Sequence, residues 1–448
     1  MAESGGPAAS LHASPSSILR QTGDPSQDYR RQAYRWKVIV ATSAANVLEW
    51  FDFVAFGFLA VTMAKLFFPA SNDTAALLAT FATFGIPFAV RPIGAIVLGA
   101  YADRRGRKAA LMVSIGLMTL GTVIMAAAPT YQSIGAWAAV IVLVARMLQG
   151  FSVGGEYGAA VAFLVEQDAR QRGFLASWHY ASQSMTAVLA TSFAIMLSNM
   201  LTPEQTESWG WRMPFIFGLL IAPLGLYVRS QLRETDPFMG AARSRAPARE
   251  VVARHGSRVV LAAGVITVSA VTIYTLVFMP TFAIKQLGLP PSVAFLGSLL
   301  AGSIQVILIP VAGLLSDRID RQLLALAAAL AVLLLAYPVF AFLLAVPTLS
   351  TLLIVQGVLG VLNAIAFGCL GALIADLFPT ALRTSGLSLS NALTQMTLGG
   401  TTPFIMLWLI EATGRADAPA FYLMFAAALS SAALLAIRRA RSGTAMAV

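Results

Sequence analysis

The stretch Gly99-Ala-Tyr-Ala-Asp103-Arg104-Arg105-Gly106-Arg107-Lys108 is wedged between two long apolar runs. A weaker copy, Gly313-Leu-Leu-Ser-Asp317-Arg318-Ile-Asp320-Arg321, appears in the second half, its glycine 214 positions later. A charged hairpin between hydrophobic spans, repeated half a chain on, predicts two similar membrane bundles that move against each other.

The composition agrees. Of 448 residues, 58% are hydrophobic and 11% charged, with mean hydropathy +0.77. A soluble domain is nearer a quarter charged. Apolar runs of about 20 residues, enough to cross a bilayer core, recur throughout. The single cysteine, Cys369, lies inside one of them, so no disulfide forms within the chain and a packing role is expected.

Polar breaks divide the chain into twelve expected spans. The first six are 38–63, 76–100, 109–129, 137–163, 174–200 and 211–229. The second six are 259–283, 292–315, 322–346, 350–374, 385–411 and 420–438. The expected organisation is a disordered cytoplasmic tail over 1–36 and a six-helix bundle over 37–230. A cytoplasmic linker over 231–257, a second bundle over 258–440 and a tail over 441–448 follow. Residues 1–36 lack the apolar core of a cleaved signal peptide.

The net charge of +10 would suit a nucleic-acid partner, but its placement does not. Most Lys and Arg fall in the first tail, the loops after even-numbered spans and the C-terminus. Lys65, Lys285, Arg212 and Arg415 lie on the other side, and Arg91 and Arg146 lie within spans. That bias orients a multi-pass protein with both termini in the cytoplasm.

The halves echo each other. Gln149-Gly150 and Gln356-Gly357 lie 207 apart, Glu166 and Asp376 210, and Arg172 and Arg383 211. A secondary transporter of two six-helix bundles, with its site between them, explains the duplication. No phosphate-binding loop and no metal-spaced His/Cys cluster is present, so neither ATP, a cofactor, a metal nor an enzymatic reaction is indicated.

Ionisable groups inside spans are functional candidates because hydrocarbon makes them costly. Glu49 and Asp52 share one face of the first span, and Glu49 lies roughly 18 Å along the helix from Lys37. They can carry protons, or one can form a fixed pair with Arg91 or Arg146. Arg91, followed by Pro92 and Gly94, suits a substrate carboxylate or that same structural pair. Arg146 and Glu156 fit a structural or gating network, with Gly150, Ser152, Gly154 and Gly158 permitting close helix approach.

His179, beside Gln183, either titrates or is a hydrogen-bonded bystander. Arg212, among tryptophans, either anchors the interface or draws anions to the outer mouth. In the second half the polar lining would come from Thr272, Tyr274, Gln305, Asn363, Asn391 and Gln395. Asp103, with Arg104 and Arg107, reads as a gate whose carboxylate meets basic groups and a helix N-terminus when the inner side closes. Its counterparts are Asp317 and Arg318. Glu166, Arg172, Asp376 and Arg383 belong to the same gating set.

These residues resemble the major facilitator superfamily, whose signature matches Gly99–Lys108. Several motifs are similar to its metabolite:proton symporters: Glu49-Trp-Phe-Asp52-Phe53, Arg91-Pro-Ile-Gly94, Arg146-Met-Leu-Gln-Gly150, Trp209-Gly-Trp-Arg212-Met-Pro214, Leu232-Arg-Glu-Thr235 and Phe378-Pro-Thr-Ala-Leu-Arg383. Phe67-Phe-Pro69, Leu148-Gln-Gly-Phe-Ser152 and Gly399-Gly400 with Thr402-Pro403 look most like citrate and tricarballylate symporters. The resemblance implies an all-α twelve-helix fold in two pseudo-symmetric bundles and a bacterial inner-membrane symporter, monomeric in function. It implies import of a small organic acid with protons. Other substrates of the family, such as a dicarboxylate, a shikimate-like acid or a zwitterion, stay open, as more remotely does a transport-dead sensor. Departures are His179, where an uncharged polar residue is expected, and Asp320, where the superfamily usually has Gly. The absence of a long coiled-coil tail argues against an osmosensing carrier.

Overall fold

The computed structural model describes residues 25–70, 72–105, 107–154, 156–219 and 247–445. Among them the regular structure is helical throughout. Hydrocarbon offers no partner for a backbone N–H or C=O, so each apolar run satisfies its own groups as a helix.

The longer helices in order are α1 (Pro25–Phe58), α2 (Ala60–Phe67), α3 (Asp73–Arg105), α4 (Arg107–Ala127), α5 (Trp137–Val153), α6 (Glu156–Glu166) and α7 (Arg172–Met200). In the second half come α8 (Pro247–Lys285), α9 (Pro291–Ser316), α10 (Arg321–Ala345), α11 (Leu349–Ala375), α12 (Arg383–Thr394), α13 (Thr402–Thr413) and α14 (Ala418–Ala445). Eight helical segments among the described residues are long and apolar enough to span a membrane, and α1–α2, bent by 71°, makes a ninth. The third expected span is the shorter apolar helix Met112–Ala127, and the eleventh is the interrupted pair α12–α13. The sixth is helical over 213–219 and then leaves the described residues.

Several boundaries differ from expectation. Residues 25–36, expected as disordered tail, extend α1. That stretch has no glycine, and its only proline is at the first helical position, where proline is tolerated. The expected linker 231–257 is helical from Pro247, with a kink at His255, and its first part lies outside the described residues. The hairpin at 99–108 is itself mostly helix, because α3 runs through Arg105 and α4 begins at Arg107. Asp320 caps α10, its carboxylate accepting from Gln322 N (2.8 Å) and Leu323 N (3.1 Å). A capping carboxylate thus occupies the place where glycine was expected.

Small residues set the closest helix approaches. Gly94 lies on the Phe151 backbone, Gly150 on Pro87, and Gly154 on Arg91 and Ala95, so α3 and α5 touch backbone to backbone. The halves meet mainly along α7 with α9, and also where α7 meets α11, α6 meets α12 and α3 meets α13. Gly400 packs on the Phe88 ring, and its carbonyl lies 3.4 Å from where a side chain on Gly85 would start. The one-turn π segment Gln395–Gly399 just before it widens the helix and interrupts the eleventh span.

Candidate functional site

A cavity lies between the halves. Trp50 and Val54 from α1, Tyr157 from α6, and Tyr180, Gln183 and Ala187 from α7 form one wall. Ile266, Ala270, Ile273, Tyr274 and Val277 from α8, Phe367 and Leu370 from α11, Asn391 from α12 and Gln395 from the π segment form the other. Its volume is about 30 Å³, room for roughly two waters. A six-carbon acid enters only if the halves part.

Contacts between the halves lie toward both ends of it. At the end nearer the 313–321 loop, Arg383 Nη1 lies 2.8 Å from Glu166 Oε1, and Arg172 pairs with Asp376. Asp317 accepts from the first backbone amides of α7, Gly173 N at 2.8 Å and Phe174 N at 2.9 Å. Arg321 ties these together, donating to Asp317 Oδ1 (2.8 Å) and Asp376 Oδ2 (2.9 Å). The carboxylate at a helix N-terminus gains from both unpaired amides and the helix dipole. At the opposite end Lys285 pairs with Asp73 at 2.6 Å, and Phe81 meets Phe278 edge to face.

The charges expected within the spans lie in the first half, behind the cavity wall. The Arg91 guanidinium is buried against the rings of Phe88 (4.5 Å), Trp50 (4.7 Å) and Phe53 (5.2 Å). Since Trp50 lines the cavity, one ring separates this cation from it. Arg146 is buried over Phe56 (4.6 Å) and Phe53 (4.7 Å), and donates to Gln149 Oε1 at 2.9 Å. Facing rings offset part of the cost of burying such cations.

Asp52 faces into the first bundle. Its Oδ2 accepts from Thr122 Oγ1 and from Gln149 Nε2 at 3.2 Å, while Oδ1 has no hydrogen-bond partner among the described residues. Its backbone carbonyl accepts from Arg146 Nη1 at 3.4 Å. Glu49 and Glu156 lie within electrostatic reach of Arg91, and Glu156 Oε1 accepts from Ser114 Oγ at 3.3 Å.

Of the expected substrate residues, the structure brings Gln183, Tyr274, Asn391 and Gln395 onto the cavity wall. His179 sits one layer back, edge-on to Tyr157 and Tyr180 at 5.3 Å each, with Gln183 Nε2 at 3.4 Å from its Nε2. Arg212 lies apart from the cavity. It donates to Ser208 O (2.8 Å) and Ala128 O (3.0 Å) and stacks on Trp211. Arg318 is exposed, and Arg321 rather than Arg318 meets Asp317. The side chains of Asp103, Arg104 and Arg107 lie outside the described residues.

Sequence reasoning left Arg321 out of the gating set, although it closes the same charged loop as Asp317, between α9 and α10. It also missed the tyrosine hydroxyls of Tyr157 and Tyr180, 2.7 Å apart, and the stacking of Tyr180 on Phe367 across the halves at 4.7 Å. Thr122, the donor to Asp52, had no distinguishing pattern at all.

The family model described as sugar (and other) transporter matches residues 37–263 and again 257–437, close to the two halves. The chain is 38% identical over 398 residues to a citrate-proton symporter of Klebsiella pneumoniae, covering 87% of this chain and 88% of that protein. It is 36% identical over 410 residues to a citrate-proton symporter of Salmonella typhi, covering 90% and 94%. Among solved structures, a proton:xylose symporter of the major facilitator superfamily superposes with TM-score 0.72 at 16% identity, covering 91% of this chain and 96% of that one.

Proposed function

This chain belongs to the sugar (and other) transporter family of the major facilitator superfamily, and from that premise we propose that it imports citrate, or tricarballylate, together with protons by alternating access. It is a multi-pass membrane transporter and not an enzyme. The observation that carries the reading is the cavity between the halves, with contacts toward each end that cross from one half to the other. Such a site opens to one side at a time when one set of contacts breaks.

Placement, where described, and the sequence motifs support the following roles. Arg91, one ring behind the wall, supplies the positive field for a substrate carboxylate once the halves part. Gln183, Tyr274, Asn391 and Gln395 supply hydrogen bonds, with His179 supporting Gln183 from behind. Asp52 takes the proton on its unpartnered Oδ1, and Glu49, on the same helix face, is the second proton candidate. Arg146 and Glu156 brace this charge network. Glu166, Arg172, Asp317, Asp376 and Arg383 form the inner latch, joined by Arg321, with Asp103, Arg104, Arg107 and Arg318 completing the loops. Arg212 serves the outer mouth. The charge bias of the loops supports a latch and both termini on the cytoplasmic side of a bacterial inner membrane, and the presence of both halves of the site in one chain supports function as a monomer.

Purified protein in liposomes tests the proposal. Labelled citrate should accumulate against its gradient when the outside is acidified. Citrate movement unaffected by the imposed proton gradient would remove the symport reading. Strong inhibition by unlabelled betaine or shikimate, with none by tricarballylate, would move the substrate elsewhere in the family.

A further inference from the structure

Among the described residues, Phe53 is the ring that both buried cations share. The Arg91 guanidinium lies 5.2 Å from its centroid and that of Arg146 4.7 Å. Each cation also has rings of its own: Trp50 and Phe88 for Arg91, Phe56 for Arg146. Without Phe53 each would remain held, and the α3–α5 backbone contact would still bring them near, but no ring would bridge the two guanidinium groups. Like charges in a dry interior repel, and the shared ring offsets part of the cost of that proximity.

The nearby charges give this proximity a direction. Arg146 lies in reach of Asp52 and of Arg91. Arg91 lies in reach of Glu49, Glu156 and the phenol of Tyr274. Asp52 is a carboxylate within electrostatic reach of Arg146, with Thr122 and Gln149 as its hydrogen-bond donors. While Asp52 is ionised, it offsets one of the two cations. When a proton binds at Oδ1, Arg146 loses that offset and the pair presents an extra positive charge toward the cavity wall.

We infer that Phe53 is a positioning residue that couples proton binding at Asp52 to anion binding near Arg91 by holding the two guanidinium groups on one ring. The sign suits symport: the protonated carboxyl favours the bound anion, and by reciprocity the bound anion favours the protonated carboxyl. This inference rests on the proton-coupled reading of the same site.

The test separates coupling from transport. Phe53→Leu removes the ring, and a ring-fluorinated phenylalanine installed at position 53 keeps its shape while weakening its attraction for cations. Both should lose citrate accumulation driven by a pH gradient. Exchange of labelled for unlabelled citrate at equal pH should persist at a reduced rate. Phe53→Tyr, which keeps the ring, should restore accumulation. Unchanged accumulation in the fluorinated protein overturns the inference, as does a parallel fall of exchange and accumulation, which marks a merely structural ring. If Phe53→Leu does not fold, the fluorinated protein decides. Failure of the wild-type protein to couple citrate to protons would instead refute the reading beneath it.

Discussion

Arg383, the first residue of α12, reaches Glu166 at the end of α6, with Nη1 to Oε1 at 2.8 Å. Its repeat counterpart Arg172 reaches Asp376, the repeat counterpart of Glu166. Each half therefore supplies one cation and one carboxylate to the other, so the latch obeys the pseudo-symmetry of the fold. The Arg383 and Glu166 side chains are only 13% and 16% exposed, which places the pair above an ordinary surface ion pair in strength.

Neutralising this latch should release it. Glu166→Gln keeps the shape but removes a charged hydrogen bond worth about 1.5–3 kcal/mol, roughly a ten- to hundredfold shift toward the state open at that end. Cysteine-labelling rates at the latch end should rise accordingly. Exchanging the charges, Glu166→Arg with Arg383→Glu, should restore much of the transport rate; no recovery would argue that the pair does not act by mutual attraction.

Asp317→Ala should weaken the same end by another route. It strips the N-terminus of α7 of two acceptor contacts, at a cost of about 0.5–2 kcal/mol by analogy with other helix caps. Asp317→Asn should fall in between, since an amide oxygen still accepts but carries no charge. The order Asp, Asn, Ala in labelling protection is the measurement.

Asp52→Asn should separate exchange from accumulation. The amide can still accept from Gln149 while offering no site for a proton at Oδ1. Counterflow exchange should continue, and uphill uptake driven by acid outside should vanish. Wild-type uphill uptake in this variant would transfer the proton role to Glu49.

Arg91→Ala should raise the citrate KM by about a hundredfold, and Arg91→Lys by about tenfold, reflecting the loss of a buried cation and of its flat, stacked geometry respectively. Equilibrium binding by calorimetry distinguishes this from a slowed conformational step. Unchanged affinity in Arg91→Ala would fit a zwitterion held elsewhere.

Gly150→Val should destabilise the first bundle, because a side chain there meets the Pro87 backbone. Overpacking of this sort costs about 1–3 kcal/mol or more. The melting temperature in detergent should fall, and expression with it, while Gly116→Ala, which meets nothing nearby, should leave both unchanged.

Much of this was legible along the chain. Apolar runs located the spans, because a helix in hydrocarbon must satisfy its own backbone whatever its neighbours do. Spacing placed Glu49 and Asp52 on one face, and the repeat singled out Glu166, Arg172, Asp376 and Arg383. The crosswise matching of those four was not legible. Spacing of about 210 residues says that two residues are equivalent, not which residue of the other half each one meets. Likewise the interruption of the eleventh span, expected as continuous over 385–411, was not legible; it appears where Gly400 packs against Phe88 and Gly85.

The order of residues alone decided that this chain is a duplicated helical membrane protein with its buried charge concentrated in the first half. Those properties follow from local hydrophobicity, which needs no partner. Tertiary structure decided what the charges do. Arg91 and Arg146 sit far apart in sequence, on α3 and α5, and only the backbone contact of those helices through Gly94, Gly150 and Gly154 brings both onto the ring of Phe53 from α1. The duplicated hairpin follows the same division. Its recurrence was written in the chain, whereas the engagement of Asp317 with the amides of α7 depends on how one half docks against the other.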